Sequence, residues 1–150
     1  AYYVTPQGFR EKSRLVAEYL DTSLQFFRKA RSEYRMLFED ASSSTADGYV
    51  LAGSGELTEI ALLAASETES TINGIFDKAT KSHKQLGIPE IHSMEQIDPR
   101  VTLVITESSQ PQALYDERRL NYVGGRVLAP RFLRVIETTQ VEQDSAEAAE

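Results

Sequence analysis

The sequence predicts an α/β chain, a small Rossmann-like, mostly parallel sheet of about four to five strands preceded by a long α-helix. Three observations predict it. Short apolar runs alternate with helix-periodic segments from Tyr49 to Ile136, the pattern of right-handed strand–helix–strand crossovers. The run Tyr49-Val50-Leu51-Ala52 crosses Gly53-Ser54-Gly55 straight into a helical pattern, as a buried strand, a tight turn and a helix N-terminus do. Ahead of both lies a stretch of more than thirty residues whose apolar positions recur every three or four.

That first stretch opens on Ala1-Tyr2-Tyr3-Val4, strand-like but short. Thr5 then stands as an N-cap with Pro6 at the first helical position, where its missing N–H costs nothing. The helix is expected to reach about Glu39, roughly 45 Å at 1.5 Å per residue. Ala17, Leu20, Leu24, Phe27, Arg31, Tyr34 and Phe38 form a heptad-like seam, widened by Leu15, Val16, Tyr19, Phe26 and Leu37. A helix so long with so much apolar face predicts a partner helix. Leu20, Leu24, Phe27, Tyr34 and Phe38 are the expected homodimer contacts, against the plainer alternative that the helix packs on its own domain.

Asp40 to Gly48 is polar and small-residue-rich and reads as a linker. Four divisions follow: the helix within 1–40, a linker at 41–48, the ligand-binding domain at 49–136 and an acidic, disordered tail at 137–150. Within the domain, Tyr49 to Ala52 is a strand. Glu56 to about Glu69 is a helix with Leu57, Ile60, Ala61, Leu63 and Ala64 inward. Thr71 to Phe76 is a strand. Ala79 to Leu86 is a short helix or turn closed by Gly87, and Ile88 to Ile91 an edge-like strand that tolerates Pro89. Met94 to Ile97 is one helical turn. Val101 to Thr106 is a continuous apolar strand, buried on both faces. Pro111 to Tyr122 is a helix stopped by Gly124-Gly125. Arg126 to Leu128 is a last short strand, extended by a further one from Arg131 to Ile136.

Composition sets outer bounds. At 41% hydrophobic and 26% charged over 150 residues, the chain can bury one real core. With no cysteine it has neither disulfides nor thiolate metal sites, and a net charge of −7 argues against gripping nucleic-acid backbones along a basic face. No apolar run approaches the ~18 residues of a membrane span, no signal peptide is visible, and a cytoplasmic chain is expected.

Ligands of such sheets bind beyond the C-terminal strand ends. The glycine turn supplies Gly53, Ser54, Gly55 and Glu56, and the helix start adds the amides of Leu57 and Thr58. Asp77 lies 22 residues after Gly55, near the ~20 expected for a carboxylate that accepts from ribose hydroxyls, and Lys78 follows it. Glu107 and Ser108 close the strand through Thr106, and Ala129-Pro130 a later one. Thr58 stands where a third glycine is expected, which would hold helix and strand farther apart. Glu56 suits the helix dipole but repels a pyrophosphate. The alternative is that the glycines only make a turn and Asp77 only caps the next segment. His83 and His92 have no helix-spaced partner, so neither a metal site nor a catalytic set is expected. Arg118, Arg119, Arg126, Arg131 and Arg134 are expected on a solvated face or paired with carboxylates.

Two resemblances bear on function. Tyr3-Val4-Thr5-Pro6-Gln7-Gly8, with Lys12 and Leu15 beyond, resembles the exit from the wing of a bacterial winged helix-turn-helix regulator. It covers about the first 20 residues and implies that DNA is read by an upstream winged helix absent from this sequence. The second covers Tyr49 to about Glu107. Its Gly53-Ser54-Gly55 turn, Gly74-Ile75-Phe76-Asp77 strand end, and Gly87-Ile88-Pro89-Glu90-Ile91 followed by Met94-Glu95 are similar to the nucleotide-sugar-binding N-terminal domain of bacterial sugar acetyltransferases. Glu56 departs from that family's pattern and its hexapeptide-repeat half is missing, so the likeness implies the binding fold without the transferase chemistry. Together they imply the effector-sensing and dimerisation region of a transcriptional regulator, its ligand a nucleotide or nucleotide sugar. The other readings are a small nucleotide-dependent oxidoreductase-like enzyme, with Glu107 or Asp77 as its visible acid–base groups, and an interaction module without a ligand.

Overall fold

The structure is a computed structural model describing residues 5–41, 47–78, 84–85, 87–121 and 126–137. Chain order is helix α1 (Pro6–Ala41), strand β1 (Tyr49–Ala52), helix α2 (Glu56–Glu67), strands β2 (Ile72–Phe76), β3 (Lys84–Gln85), β4 (Ile88–Ile91) and β5 (Thr102–Ile105), helix α3 (Pro111–Asn121) and strand β6 (Val127–Leu128). Single 3-10 turns lie at Met94–Gln96 and Arg131–Leu133. The sheet order is β3-β4-β2-β1-β5-β6. Five strands run parallel, and β3 alone is antiparallel, pairing with β4.

Handedness explains the layering. The crossover from β1 to β2 runs one way along the sheet and that from β5 to β6 the other, so right-handed connections put α2 and α3 on opposite faces. The side chains agree. Leu51, Ile75 and Val104 share a cluster with α2 residues Leu57, Ile60, Ala61, Ala64 and Ala65. Val50, Ala52, Phe76, Leu103 and Ile105 alternate to the other face, with Tyr115 of α3 and with Met94 and Ile97 from the β4–β5 connection. Strands buried on both faces are what continuous apolar runs encode.

Helix α1 completes the first face. Ala30, Tyr34, Phe38 and Ala41, spaced by four, four and three, are buried in the same cluster as α2. Small residues at Ala30, Ala61, Ala64 and Ala65 let the helices approach closely. Phe38 meets Tyr49 edge-on at 4.9 Å, and the Tyr34 hydroxyl donates to the Ile105 carbonyl at 2.8 Å. Thr5 caps the start, its hydroxyl accepting from the Gly8 N–H at 3.0 Å. The 36 residues span about 54 Å, and the first twenty or so project beyond the domain.

Several expectations change. Tyr34 and Phe38, placed in a dimer seam, are fully buried against the chain's own sheet, and Phe27 packs at the edge of that cluster. Helix and domain therefore share one core across the 41–48 boundary; residues 42–46 of that linker lie outside the described residues. Lys84–Gln85, expected in a helix or turn, is a strand, so β4 is flanked on both sides. Leu63 faces outward because the inner stripe of α2 runs through Thr58 and Ala65 instead. Arg131 to Ile136 is not a strand: after Pro130 the chain makes a 3-10 turn and lays Phe132 edge-on against Phe26 and Tyr34 of α1, at 5.6 and 6.0 Å. Arg118, expected at the surface or paired, is fully buried, and its Nη2 donates to the Asp98 and Val101 carbonyls at 3.3 and 3.1 Å. The wing-like residues 1–4, His83, Gly124-Gly125 and the tail from residue 138 fall outside the described residues. No helix among those described is long and apolar enough to cross a membrane.

Candidate functional site

Strands β1 and β5 lie side by side and their connections depart in opposite directions, so a crevice opens beyond their C-terminal ends. The two exits are held together by backbone and hydroxyls. Gly53 adopts φ +144°, and its N–H donates to the Phe76 carbonyl at 2.9 Å. A Cβ at Gly53 would stand 2.7 Å from the Thr106 carbonyl carbon and from its hydroxyl, so only glycine fits. The Thr58 hydroxyl donates to the Gly53 carbonyl at 2.7 Å; with that proton used, the Thr106 hydroxyl donates to Thr58 at 2.8 Å. Thr58 is fully buried. It fastens helix to strand where the sequence suggested that it holds them apart.

Gly55 is different. It is the N-cap of α2 at φ −91°, has no side-chain cap, and a Cβ added there meets nothing within 4 Å. Behind it lie the first amides of α2, with Glu56 and Glu59 in the first turn; the Thr58 N–H, expected to face a ligand, instead donates to the Gly55 carbonyl at 3.1 Å, which leaves the amides before it. Ser54 donates from its hydroxyl to the Asp77 carboxylate, tying the end of β1 to the end of β2. Asp77 thus sits where the spacing argument set it, one residue past Phe76.

The crevice has two lobes. The larger, about 620 Å³, is bounded by Ser54, Gly55, Glu56 and Leu57 on one side and Thr106, Glu107 and Ser108 on the other. Phe26, Phe132 and Leu133 form its apolar wall. The smaller, about 290 Å³, lies towards α3 and is lined by Gly53, Asp77, Lys78, Glu107, Ser109 and Glu117 among others. Lys78 reaches across it to Glu117, with Nζ 2.5 Å from Oε1. Glu107 turns its carboxylate back on its own loop, where it accepts from the Ser109 N–H at 2.9 Å and from the Ser109 hydroxyl.

Gly53, Ser54, Gly55, Glu56, Leu57, Asp77, Lys78, Glu107 and Ser108 therefore all line the crevice, while Thr58 supports it from within. Ala129-Pro130 lies elsewhere, against α1 with Met36 and Leu37. Sequence reasoning missed the aromatic wall. Phe26 was read as part of a helix seam and Phe132 as a strand residue, and no local pattern brings residues 106 positions apart to one cavity. The end of β4 is a strand end like the others, and there His92 Nδ1 lies 2.8 Å from the Asp77 carbonyl while Nε2 is 3.9 Å from the Glu90 carboxylate.

The charge balance is one-sided. Glu56, Asp77, Glu107 and Glu117 line the two lobes, and Lys78, engaged with Glu117, is the one basic side chain among the described lining residues. An anionic group can be held there chiefly by the α2 amides, whereas hydroxyl groups find acceptors all round. Neither the protein-family models, the curated proteins nor the solved structures with which the chain was compared match it.

Proposed function

We propose that this chain is the effector-sensing and dimerisation region of a transcriptional regulator, and that it binds a nucleotide or nucleotide-sugar-like molecule in the crevice between β1 and β5. The observation that carries this reading is the pairing of an uncapped helix N-terminus behind Gly53-Ser54-Gly55 with Asp77 at the end of the neighbouring strand. The α2 amides suit a phosphate. The surrounding carboxylates suit the hydroxyls of ribose and sugar, which favours a ligand rich in hydroxyls and sparing in phosphates. The Phe26–Phe132 wall offers an apolar surface to a base. The likeness to nucleotide-sugar-binding domains supports the ligand class, and the wing-like start supports the regulator.

Phe26 belongs to α1 and borders the cavity, so a ligand that packs on it bears directly on the projecting helix. In this reading that helix pairs with its copy, and DNA is contacted by a winged helix joined ahead of Ala1. A ligand with different affinity for two helix positions biases the spacing of two DNA-reading heads by that difference. The setting is a bacterial cytoplasm.

A thermal-shift panel of nucleotides and nucleotide sugars tests the ligand. At one hundred times its dissociation constant a true ligand stabilises by about 2.7 kcal/mol, a shift of several degrees. Gly55→Val should erase the shift, because the new side chain enters the open space at the crevice. An unresponsive melting temperature across the whole panel would leave the glycine turn a structural feature.

A further inference from the structure

A second hollow, separate from the crevice, lies between α1 and the segment that carries β6. Its volume is about 290 Å³, at the small end for ligand sites. Helix α1 gives it Glu33, Met36, Leu37 and Asp40, whose spacing by three, one and three sets them on one face of the helix. Arg126, Leu128, Pro130 and Arg131 stand across from them. Leu37 and Leu128 also pack on the core cluster that joins α1 to the sheet, which makes the floor of the hollow apolar and fixed.

The charges are divided by wall. The helix brings the carboxylates of Glu33 and Asp40, and the β6 segment brings the guanidinium groups of Arg126 and Arg131; Glu137 adds a third carboxylate. The walls do not neutralise each other, because Glu33, Asp40 and Arg131 form no ion pair among the described residues. Glu33 is the least satisfied of them. Its Oε2 is shut off from solvent and accepts no hydrogen bond. A shielded carboxylate oxygen without a donor costs free energy that a donor recovers.

These features select a ligand. A simple cation meets a like charge at Arg131, and a simple anion meets like charges at Glu33 and Asp40. A small zwitterion answers both walls at once. We propose that this hollow binds a free α-amino acid with an apolar side chain. Its ammonium donates to Glu33, its carboxylate takes the planar fork of Arg131, and its side chain lies on Leu37 and Leu128. The Glu33 carboxylate turns readily about its last bond, so either oxygen can accept from the ammonium.

Titration of the full chain with L-leucine, L-methionine and L-phenylalanine, followed by calorimetry and thermal shift, tests the site. At least one should bind. Its amide, which lacks the carboxylate, and the matching acid without the amine should each bind at least about tenfold more weakly. Glu33→Gln and Arg131→Gln should each weaken binding of the intact amino acid by a similar factor. Glu33 Oε2 has no hydrogen bond to lose and Arg131 is exposed, so both variants should melt close to wild type, separating lost binding from lost fold. No binding of any of the three at millimolar concentration, or an affinity that neither substitution changes, would overturn the proposal. The nucleotide panel is a separate test, since no residue lining this hollow lines either lobe of the crevice.

Discussion

The Tyr34 hydroxyl donates to the Ile105 carbonyl at 2.8 Å, joining the C-terminal part of α1 to the last residue of β5 across 71 positions of sequence. Because Ile105 immediately precedes the Thr106–Ser108 side of the crevice, this bond fixes the projecting helix relative to the candidate site. Tyr34→Phe leaves the carbonyl unpaired in the core and should cost about 1–3 kcal/mol, measured by urea unfolding with the wild-type slope retained.

The same residue sets an alkaline limit. Burial first, and then the neighbouring Glu33 carboxylate, push the Tyr34 phenol well above its ordinary range. Its folded pKa is raised, so its contribution to stability is fully present below the unfolded value near 10 and is lost as pH climbs from there towards the folded value. Stability should therefore decline above about pH 10, and Tyr34→Phe should flatten that decline. An identical alkaline slope in wild type and variant would contradict it.

Gly53 and Gly55 should behave oppositely. Gly53→Ala forces a side chain into φ +144° and against Thr106, and should lower stability by at least about 2 kcal/mol. Gly55→Ala, with open space at its Cβ but at an N-cap that disfavours alanine, should cost no more than about 1 kcal/mol. Calorimetric melting of the pair separates the glycine that builds the turn from the one that faces the crevice.

Thr58 and Thr106 form one hydroxyl relay onto the Gly53 carbonyl. Thr58→Val breaks both links and should cost about 1–3 kcal/mol. Thr106→Val in that background should cost clearly less than it does alone, because its partner is already gone. Additive costs in a double-mutant cycle would show the two hydroxyls acting independently.

Arg118 pins the β4–β5 connection from inside, donating from Nη2 to two carbonyls. Arg118→Ala should cost about 3 kcal/mol or more, through lost packing and two carbonyls left in the core. Arg118→Lys should recover little of it, since one ammonium on a flexible stem does not reproduce the planar fork. Chemical denaturation of both variants checks the ranking.

Sequence alone determined the order of the main elements, apart from strand β3 and the 3-10 turn after Pro130. Apolar runs at Tyr49–Ala52 and Thr102–Ile105 mark strands buried on both faces, Thr5-Pro6 marks where α1 starts, and the 22-residue step from Gly55 to Asp77 sets a turn and a carboxylate at adjacent strand ends. All of these are local, because backbone geometry and side-chain periodicity act within a turn or a strand. Tertiary structure decided which surfaces those elements spend on one another. Periodicity marks a buried stripe on α1 without naming what buries it, so Tyr34 and Phe38 read the same as Val16 and Leu20 until the sheet claims the first two. Arg118 reads as a surface charge until the fold closes over it and supplies two carbonyls. The aromatic wall of the crevice pairs Phe26 with Phe132. That contact exists only because α1 and the segment after β6 are carried to the same face of the sheet, and a distance in space between residues so far apart has no periodic trace in the chain.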